Sequence, residues 1–262
     1  MDILTRIVEV KQRRLEEAKK RRSLAELERL CSEARAAYPR PGFGSAFNAS
    51  DNVNVVAEVK RASPSKGIIC ADFRPVEVAQ EYEQNGAVAI SVLTEEDHFH
   101  GSLEYFSQIR NAVSLPLLRK DFIFDSYQVY ESAAAGADAL LLITAILDSR
   151  SLRDLLALSQ EVGIDALVEV HTEDELRRAS DCGARIIGVN NRNLKTFEVS
   201  LDVSLKLAAG GAPDEVILIS ESGINSRSDI ELLRQAGYRG FLIGEQLMRA
   251  GSPGRALKEL LS

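Results

Sequence analysis

The sequence of 262 residues has no tryptophan and only three cysteines. The cysteines, Cys31, Cys70 and Cys182, are odd in number and widely spaced. This argues against a disulfide framework or a zinc site and is typical of the reducing cytoplasm. No apolar run reaches the roughly 20 residues of a membrane span, and the first residues lack the basic-then-apolar order of a signal peptide. We therefore expect a cytoplasmic protein with no membrane association.

The sequence also lacks an excess of positive charge and the common cofactor motifs. Its 32 basic and 39 acidic residues give a formal net charge of −7, which argues against general binding to nucleic acid. No Gly-rich dinucleotide fingerprint, Walker loop or nucleophile elbow occurs. His98 and His100 have the spacing of a metal-binding pair, but no third ligand cluster follows, and catalytic metal sites need three or more protein ligands. We therefore expect neither a metal nor a cofactor.

What the sequence does contain is a repeated alternation of short apolar segments and helical patterns. Residues 1 to about 35 predict one or two amphipathic helices. Eight apolar segments follow, each typical of a parallel strand buried on both faces and each succeeded by a helical pattern; they span residues 53–60, 88–93, 115–119, 139–143, 166–170, 186–189, 216–219 and 240–243. Eight such units predict a (β/α)8 TIM barrel. We expect an N-terminal helical extension over residues 1–47 and a catalytic barrel over residues 48–262.

A doubly wound open sheet is the alternative fold. It would not need eight units, and it usually has a Gly-rich turn after its first strand. Here the first strand ends in Glu58, Val59 and Lys60 instead. The sequence therefore favours the barrel.

Polar residues gather where the predicted strands end, which is where barrels of this kind carry their active sites. The side chains of Glu58 and Lys60 should share a face because they are two residues apart on a strand. An isolated pair of this kind is about as often a structural ion pair as a functional one. Other strand ends, however, bring further charged or amide groups to the same rim, among them Lys120, Glu169, Asn190, Arg192 and Glu221. Their co-occurrence favours a catalytic site.

Two glycine-containing loops predict a phosphate site. Ser222 and Gly223 follow the seventh strand, and Gly244 and Glu245 follow the eighth strand and precede a short helix. These two loops are the usual phosphate seat in such barrels, since glycine lets backbone N–H groups approach the phosphate closely. We therefore expect a small phosphorylated substrate bound by all four residues.

Six motifs together resemble the indole-3-glycerol phosphate synthase family. They are EVKRASPS at 58–65, LPLLRKDF at 115–122, LVEV at 167–170, IGVNNRNL at 187–194, SESGI at 220–224 and FLIGEQLM at 241–248. The similarity extends in order over essentially the whole chain. Gln246 departs from the family, which more often has a small residue there, and we expect the change to be tolerated because the loop backbone would bind phosphate. The resemblance implies conversion of 1-(2-carboxyphenylamino)-1-deoxy-D-ribulose 5-phosphate to indole-3-glycerol phosphate, carbon dioxide and water in tryptophan biosynthesis.

The resemblance also implies roles for individual residues. Lys120 matches the general acid, since an ammonium group both donates a proton to the ketone oxygen and stabilises its charge. Glu169 matches the base of the later dehydration. Lys60 and Arg192 are candidates for binding the substrate carboxylate, and Lys60 is also a candidate donor to the departing hydroxyl group.

Five further residues would support this chemistry. The resemblance implies that Glu58, Asn190 and Glu221 orient the acid, the base and the sugar hydroxyls. Ser63 would contact the substrate, and Phe99 would form part of the wall around the anthranilate ring.

Two other functions remain open at this point. One is another phosphate-binding barrel enzyme, such as a phosphosugar isomerase or an aldolase. An aldolase would use Lys120 or Lys60 to form a Schiff base. A non-catalytic binding barrel would show damaged strand ends, whereas none of the expected charged groups is missing. We expect a monomer whose N-terminal extension covers the site, with its basic residues near the phosphate end.

Overall fold

A computed structural model describes residues 3–37, 42–48, 53–211 and 215–262. In chain order its strands are β1 (Val55–Val59), β2 (Ala62–Ser63), β3 (Gly67–Ile68), β4 (Ala89–Leu93), β5 (Leu117–Lys120), β6 (Ala139–Ile143), β7 (Asp165–Val170), β8 (Ile186–Asn190), β9 (Ile217–Glu221) and β10 (Gly240–Ile243). All but β2 and β3 pair in parallel to close a barrel in the order β1-β10-β9-β8-β7-β6-β5-β4. The predicted (β/α)8 barrel is confirmed.

The helices lie in the predicted places, before the barrel, between its strands and after its last strand. They are α1 (Ile3–Arg21), α2 (Leu24–Ala37), α3 (Pro75–Gln84), α4 (Leu103–Ala112), α5 (Ser126–Ala134), α6 (Ser149–Val162), α7 (Glu173–Asp181), α8 (Asp202–Ala209), α9 (Arg227–Gln235), α10 (Glu245–Arg249) and α11 (Pro253–Leu261). The antiparallel pair of β2 and β3 forms a hairpin directly after β1, where Pro64 is predicted to turn the chain.

Three strands extend beyond the carboxyl ends that the sequence predicts. The strand predicted over 115–119 reaches Lys120, the strand predicted over 186–189 includes Asn190, and the strand predicted over 216–219 reaches Glu221. The first strand is shorter than predicted and ends at Val59, so that Lys60 follows it. The polar residues at 190 and 221 are thus held by the ladder of the barrel itself.

Alternate strand residues fill two different cores, because successive side chains of a strand point to opposite faces. Val56, Leu118, Leu167 and Ile219 belong to the cluster inside the barrel. Their neighbours along the strands pack outward against the helices. The interior is therefore a packed apolar core, as is usual for this fold.

A short 3-10 helix, Phe43–Phe47, closes the N-terminal end of the barrel. Both phenylalanines are fully buried in the interior cluster, with ring centroids 5.3 Å apart. The Gly44 amide donates to Asp165 Oδ2 at 2.8 Å, and Arg239 Nη2 donates to the Phe47 carbonyl at 2.8 Å. These bonds anchor the segment to the starts of β7 and β10. The boundary predicted after residue 47 stays a prediction.

Helix α1 is held against the barrel by ion pairs on one face. Three basic side chains reach acidic groups of the barrel: Lys11 to Asp121 at 2.7 Å, Arg14 to Asp97 at 2.6 Å and Lys19 to Asp125 at 2.8 Å. All three partners follow β4 or β5. The expectation that the basic residues of the extension lie near the phosphate end, after β9 and β10, is therefore wrong for these three.

Replacing Lys11 by methionine should lower the free energy of unfolding by about 1.5–3 kcal/mol, the usual contribution of a hydrogen bond to a charged group. Burial opposes ionisation of Asp121, but Lys11 and Arg119 outweigh it and lower the pKa of Asp121 to about 2. The stability from this ionisation is present above the ordinary pKa of 3.8 and is lost as the pH falls toward 2. Urea unfolding from pH 2 to 7 should show a smaller loss of stability below about pH 4 in the variant, because without Lys11 the folded-state pKa of Asp121 lies closer to its ordinary value. Lys20→Met, an exposed change on the same helix, is the control, and equal effects of the two would contradict a specific role for the ion pair.

Candidate active site

The rim of the barrel brings together the polar residues that the sequence singles out. Glu58, Lys120, Glu169 and Glu221 each stand two residues beyond an apolar interior residue of the same strand. They therefore form the next inward layer above the apolar core. Lys120 Nζ lies 3.3 Å from Glu169 Oε2 and is in closer contact with Glu221 Oε2.

Burial and like charges give these groups different protonation states. Burial disfavours the protonated form of Lys120, but Glu221, Glu169 and Glu58 outweigh it and raise its pKa above the ordinary value. Burial, opposed by Lys120 and reinforced by Glu169 and Glu58, raises the pKa of Glu221 to about 7. Burial also opposes ionisation of Glu169, but Lys120 lowers its pKa below the ordinary value. Near neutral pH the site thus holds a charged amine beside an ionised Glu169.

Glu58 and Lys60 form the predicted pair on one face. Their side chains are mostly buried, and Lys60 Nζ lies 2.6 Å from Glu58 Oε1. Gly244 permits this arrangement, because a Cβ atom there would lie 2.4 Å from the same carboxylate oxygen. The end of β1 and the loop after β10 are therefore fitted to each other.

The two glycine-containing loops lie on the same cavity. Ser222 and Gly223 adopt left-handed backbone angles, with φ of 68° and 80°, and with Gly244 and Glu245 they line the cavity. Glu245 Oε2 lies 3.2 Å from Arg192 Nη2. The carboxylate of Glu245 is thus paired with a guanidinium group, which reduces the repulsion that this side chain would exert on phosphate.

The remaining predicted contacts, Ser63 and Phe99, also line this cavity, whose volume is about 1010 Å³. Ser63 lies in the β2–β3 hairpin, and its buried hydroxyl has no hydrogen-bond partner among the described residues. The ring of Phe99 packs against Phe122, with centroids 6.2 Å apart. Phe122 has no role predicted from the sequence, although it stands two residues after Lys120.

Helix α1 forms one wall of the cavity. The sequence predicts that the N-terminal extension covers the site, but it does not predict which residues do so. Ile3, Leu4 and Ile7 line the cavity beside the barrel residues. The apolar face of the helix therefore lies at the mouth of the site, as expected of an extension that covers it.

Two neighbours of the inward layer have no role predicted from the sequence. Gly188 stands on β8 between the inward layers, and a Cβ atom there would lie 2.0 Å from Glu221 Oε1. His171 follows β7, and its Nε2 lies 3.5 Å from Glu169 Oε1. The sequence positions of both residues indicate that they lie near the site, because Gly188 is two residues before Asn190 and His171 is two residues after Glu169.

Replacing Gly188 by alanine should lower kcat roughly 100-fold, because it displaces Glu221 from Lys120 and small misplacements at a reacting centre have effects of this size. Thermal unfolding should change far less than kcat. Gly251→Ala is the matched control, since no atom lies within 4 Å of a Cβ atom built there. A Gly188→Ala variant with unchanged kcat would show that the contact does not matter for turnover.

Among the described residues, no helix is sufficiently long and apolar to cross a bilayer. Within the same residues, no group of three histidine, cysteine, aspartate or glutamate side chains is placed to hold a metal ion.

Comparison with known proteins gives a consistent result. The family model of indole-3-glycerol phosphate synthase matches residues 4–260. The indole-3-glycerol phosphate synthase of Carboxydothermus hydrogenoformans is 47% identical over 262 residues, covering 99% of both chains. That of Desulfotalea psychrophila is 48% identical over 259 residues, covering 99% of this chain and 98% of the relative. Thiamine phosphate pyrophosphorylase from Pyrococcus furiosus shares the fold, with a TM-score of 0.62 at 16% identity over 81% of this chain and 96% of that one. The chain belongs to the indole-3-glycerol phosphate synthase family.

Proposed function

We propose that the inward layer of the barrel rim divides the work of the indole-3-glycerol phosphate synthase reaction among its side chains. The reaction is that of a carboxy-lyase: it closes the indole ring of 1-(2-carboxyphenylamino)-1-deoxy-D-ribulose 5-phosphate and releases carbon dioxide and water. The observation that carries the proposal is Lys120, whose ammonium group lies between Glu169 and Glu221 on the cavity side of the barrel.

Ring closure needs a proton donor at the ketone. The aromatic carbon that bears the carboxylate attacks the ketone carbon, and the ketone oxygen becomes a hydroxyl group. Lys120 donates this proton and stabilises the developing charge. Its raised pKa supports the role, because the amine is protonated before the step.

Decarboxylation restores the aromatic ring. Lys60 and Arg192 bind the substrate carboxylate until it leaves. Each is held by an acidic partner, Lys60 by Glu58 and Arg192 by Glu245. These pairs keep the two cations at the cavity wall, where the carboxylate of the substrate competes with the acidic partner.

Dehydration completes the indole. Glu169 removes a proton, and the hydroxyl group leaves as water with a proton from Lys60 or Lys120. The lowered pKa of Glu169 supports this assignment because an ionised carboxylate is ready to act as a base. Oε2 of Glu169 also lies within reach of Lys120, so the proton can return to the acid.

The other lining residues bind and orient the substrate. Ser222, Gly223, Gly244 and Glu245 bind the phosphate, chiefly through backbone N–H groups. Glu58, Asn190 and Glu221 orient the acid, the base and the sugar hydroxyls. Ser63 contacts the substrate, and Phe99 forms part of the wall around the anthranilate ring.

A Schiff-base aldolase is disfavoured by the charge of the central lysine. A lysine that forms a Schiff base is usually activated by a lowered pKa, whereas the carboxylates around Lys120 raise its pKa. Borohydride with a ketose phosphate should therefore leave Lys120 unlabelled.

The test of the proposed function is the growth of indole fluorescence when the purified protein meets the carboxyphenylamino substrate. Turnover without added metal or cofactor is expected. A folded protein that produces no indole fluorescence, or one that borohydride traps on a ketose phosphate, would contradict the proposal.

We also propose that the protein works as a cytoplasmic monomer. Its three cysteines are free thiols, which suits a reducing compartment. Each of the proposed roles is filled from within one chain. Sedimentation at assay concentration is the direct measurement, and a dimer would contradict this part of the proposal.

A further inference from the structure

The imidazole of His171 lies between two carboxylates at the end of β7. Its Nε2 is 3.5 Å from Glu169 Oε1, and its Nδ1 is 3.4 Å from Glu175 Oε2. The side chain is largely buried, and neither ring nitrogen has a well-formed hydrogen bond among the described residues. The imidazole thus has an acidic neighbour on each side.

The two oxygens of Glu169 face different partners. Oε2 faces Lys120 at 3.3 Å, and Oε1 faces His171. Glu175 is anchored on the far side, because its Oε2 also accepts the backbone N–H of His171 at 2.7 Å. The row of Glu175, His171 and Glu169 therefore leads from the start of α7 into the cavity.

We propose that His171 is a positioning residue for Glu169: its imidazolium, held by Glu175, occupies Oε1 and leaves Oε2 as the oxygen that removes the proton. The proposal rests on the role of base assigned above to Glu169. Nothing in the sequence motifs assigns a role to this histidine.

The charges around the ring favour its protonated form. Glu169 approaches from β7, Glu175 from α7 and, at longer range, Glu221 from β9. Of the two arginines on α7, Arg178 donates to the Thr144 carbonyl and Arg177 pairs with Asp174. Burial lowers the pKa of His171, but Glu175 and Glu169 outweigh burial and raise the pKa above the ordinary value. The positioning effect is present while the ring is protonated and is lost as the pH rises through that pKa.

The first test is the pH profile of kcat. The wild-type enzyme should show a basic limb that follows deprotonation of His171. Glu175→Gln should move this limb to lower pH, and His171→Gln should remove it. His171→Gln should also lower kcat roughly 10-fold, which is a part of the 10²–10⁴-fold rate increase that a positioned base supplies. KM should change little in either variant. The matched control is His100→Asn, since His100 is exposed and adopts a left-handed conformation that asparagine tolerates.

The second test observes the ring directly. The protein has three histidines, so NMR titration of the imidazole nitrogens can be assigned with single variants. His171 should titrate above 6.5, its ordinary pKa, and its titration should move down in Glu175→Gln. An imidazole that titrates at or below 6.5, or a basic limb that survives in His171→Gln, would overturn the proposal. Either result leaves the activity itself intact, whereas a wild-type protein without turnover would overturn the proposed function instead.

Discussion

Replacing Lys120 by methionine should lower kcat roughly 1,000-fold while the protein stays folded. Methionine keeps the length and much of the apolar volume of the side chain, but it removes both the proton donor and the positive charge near the ketone oxygen. Loss of a general acid usually lowers the rate by 10²–10⁴-fold, and loss of an electrostatic donor has an effect of 10²–10³-fold. The two effects come from one group here and do not multiply. Stopped-flow fluorescence of indole formation measures the rate.

The control for this variant is Lys206→Met, which removes an exposed charge on α8. It should keep wild-type kcat and KM. Circular dichroism and thermal unfolding should show that Lys120→Met retains the barrel. A Lys120→Met protein with turnover near that of the wild type would refute the role of general acid.

Replacing Glu169 by glutamine should also be severe, but it should act at a different step. Glutamine keeps the shape of the side chain and cannot remove a proton. Ring closure and decarboxylation depend on Lys120 rather than on this base, so carbon dioxide should still be released. In a single turnover we expect carbon dioxide to appear ahead of indole fluorescence, with an overall rate roughly 100-fold or more below that of the wild type.

The comparison of the two variants decides the division of labour. Lys120→Met should delay carbon dioxide and indole equally, whereas Glu169→Gln should separate them. Glu161→Gln, an exposed change on α6, controls for loss of a carboxylate elsewhere. If Glu169→Gln accumulated no intermediate and matched Lys120→Met at every step, Glu169 would not be a base specific to dehydration.

The sequence predicts the barrel and most of the rim because both depend on local pattern. Short apolar segments separated by helices identify the eight strands, and the rule that active sites follow such strands identifies Lys120 and Glu169. The predicted strands stop before the ends of β5, β8 and β9, and in the last two Asn190 and Glu221 look like loop residues. They remain in the strands because their backbones pair in the ladder.

Contacts between distant segments could not be read from the sequence. The pairing of Lys11 with Asp121 joins residues that are 110 positions apart, and no periodicity relates them. The orientation of Phe122 toward Phe99 and the steric fit of Gly188 to Glu221 likewise depend on the closed barrel. The place of His171 between Glu169 and Glu175 is not predictable for another reason: it depends on how α7 leaves the barrel.

The closure of the barrel has a consequence for the order of folding. β1 pairs with β10, with Val55 opposite Phe241, so the first and last strands meet only when almost the whole chain is available. Contacts of such high sequence separation are formed slowly, and an incomplete sheet exposes unpaired edges that favour aggregation. The aromatic segment Phe43–Phe47 contacts this late seam, since its Phe47 ring packs beneath Gly240. We expect the seam between β1 and β10 to be the last part of the barrel to form as the chain leaves the ribosome.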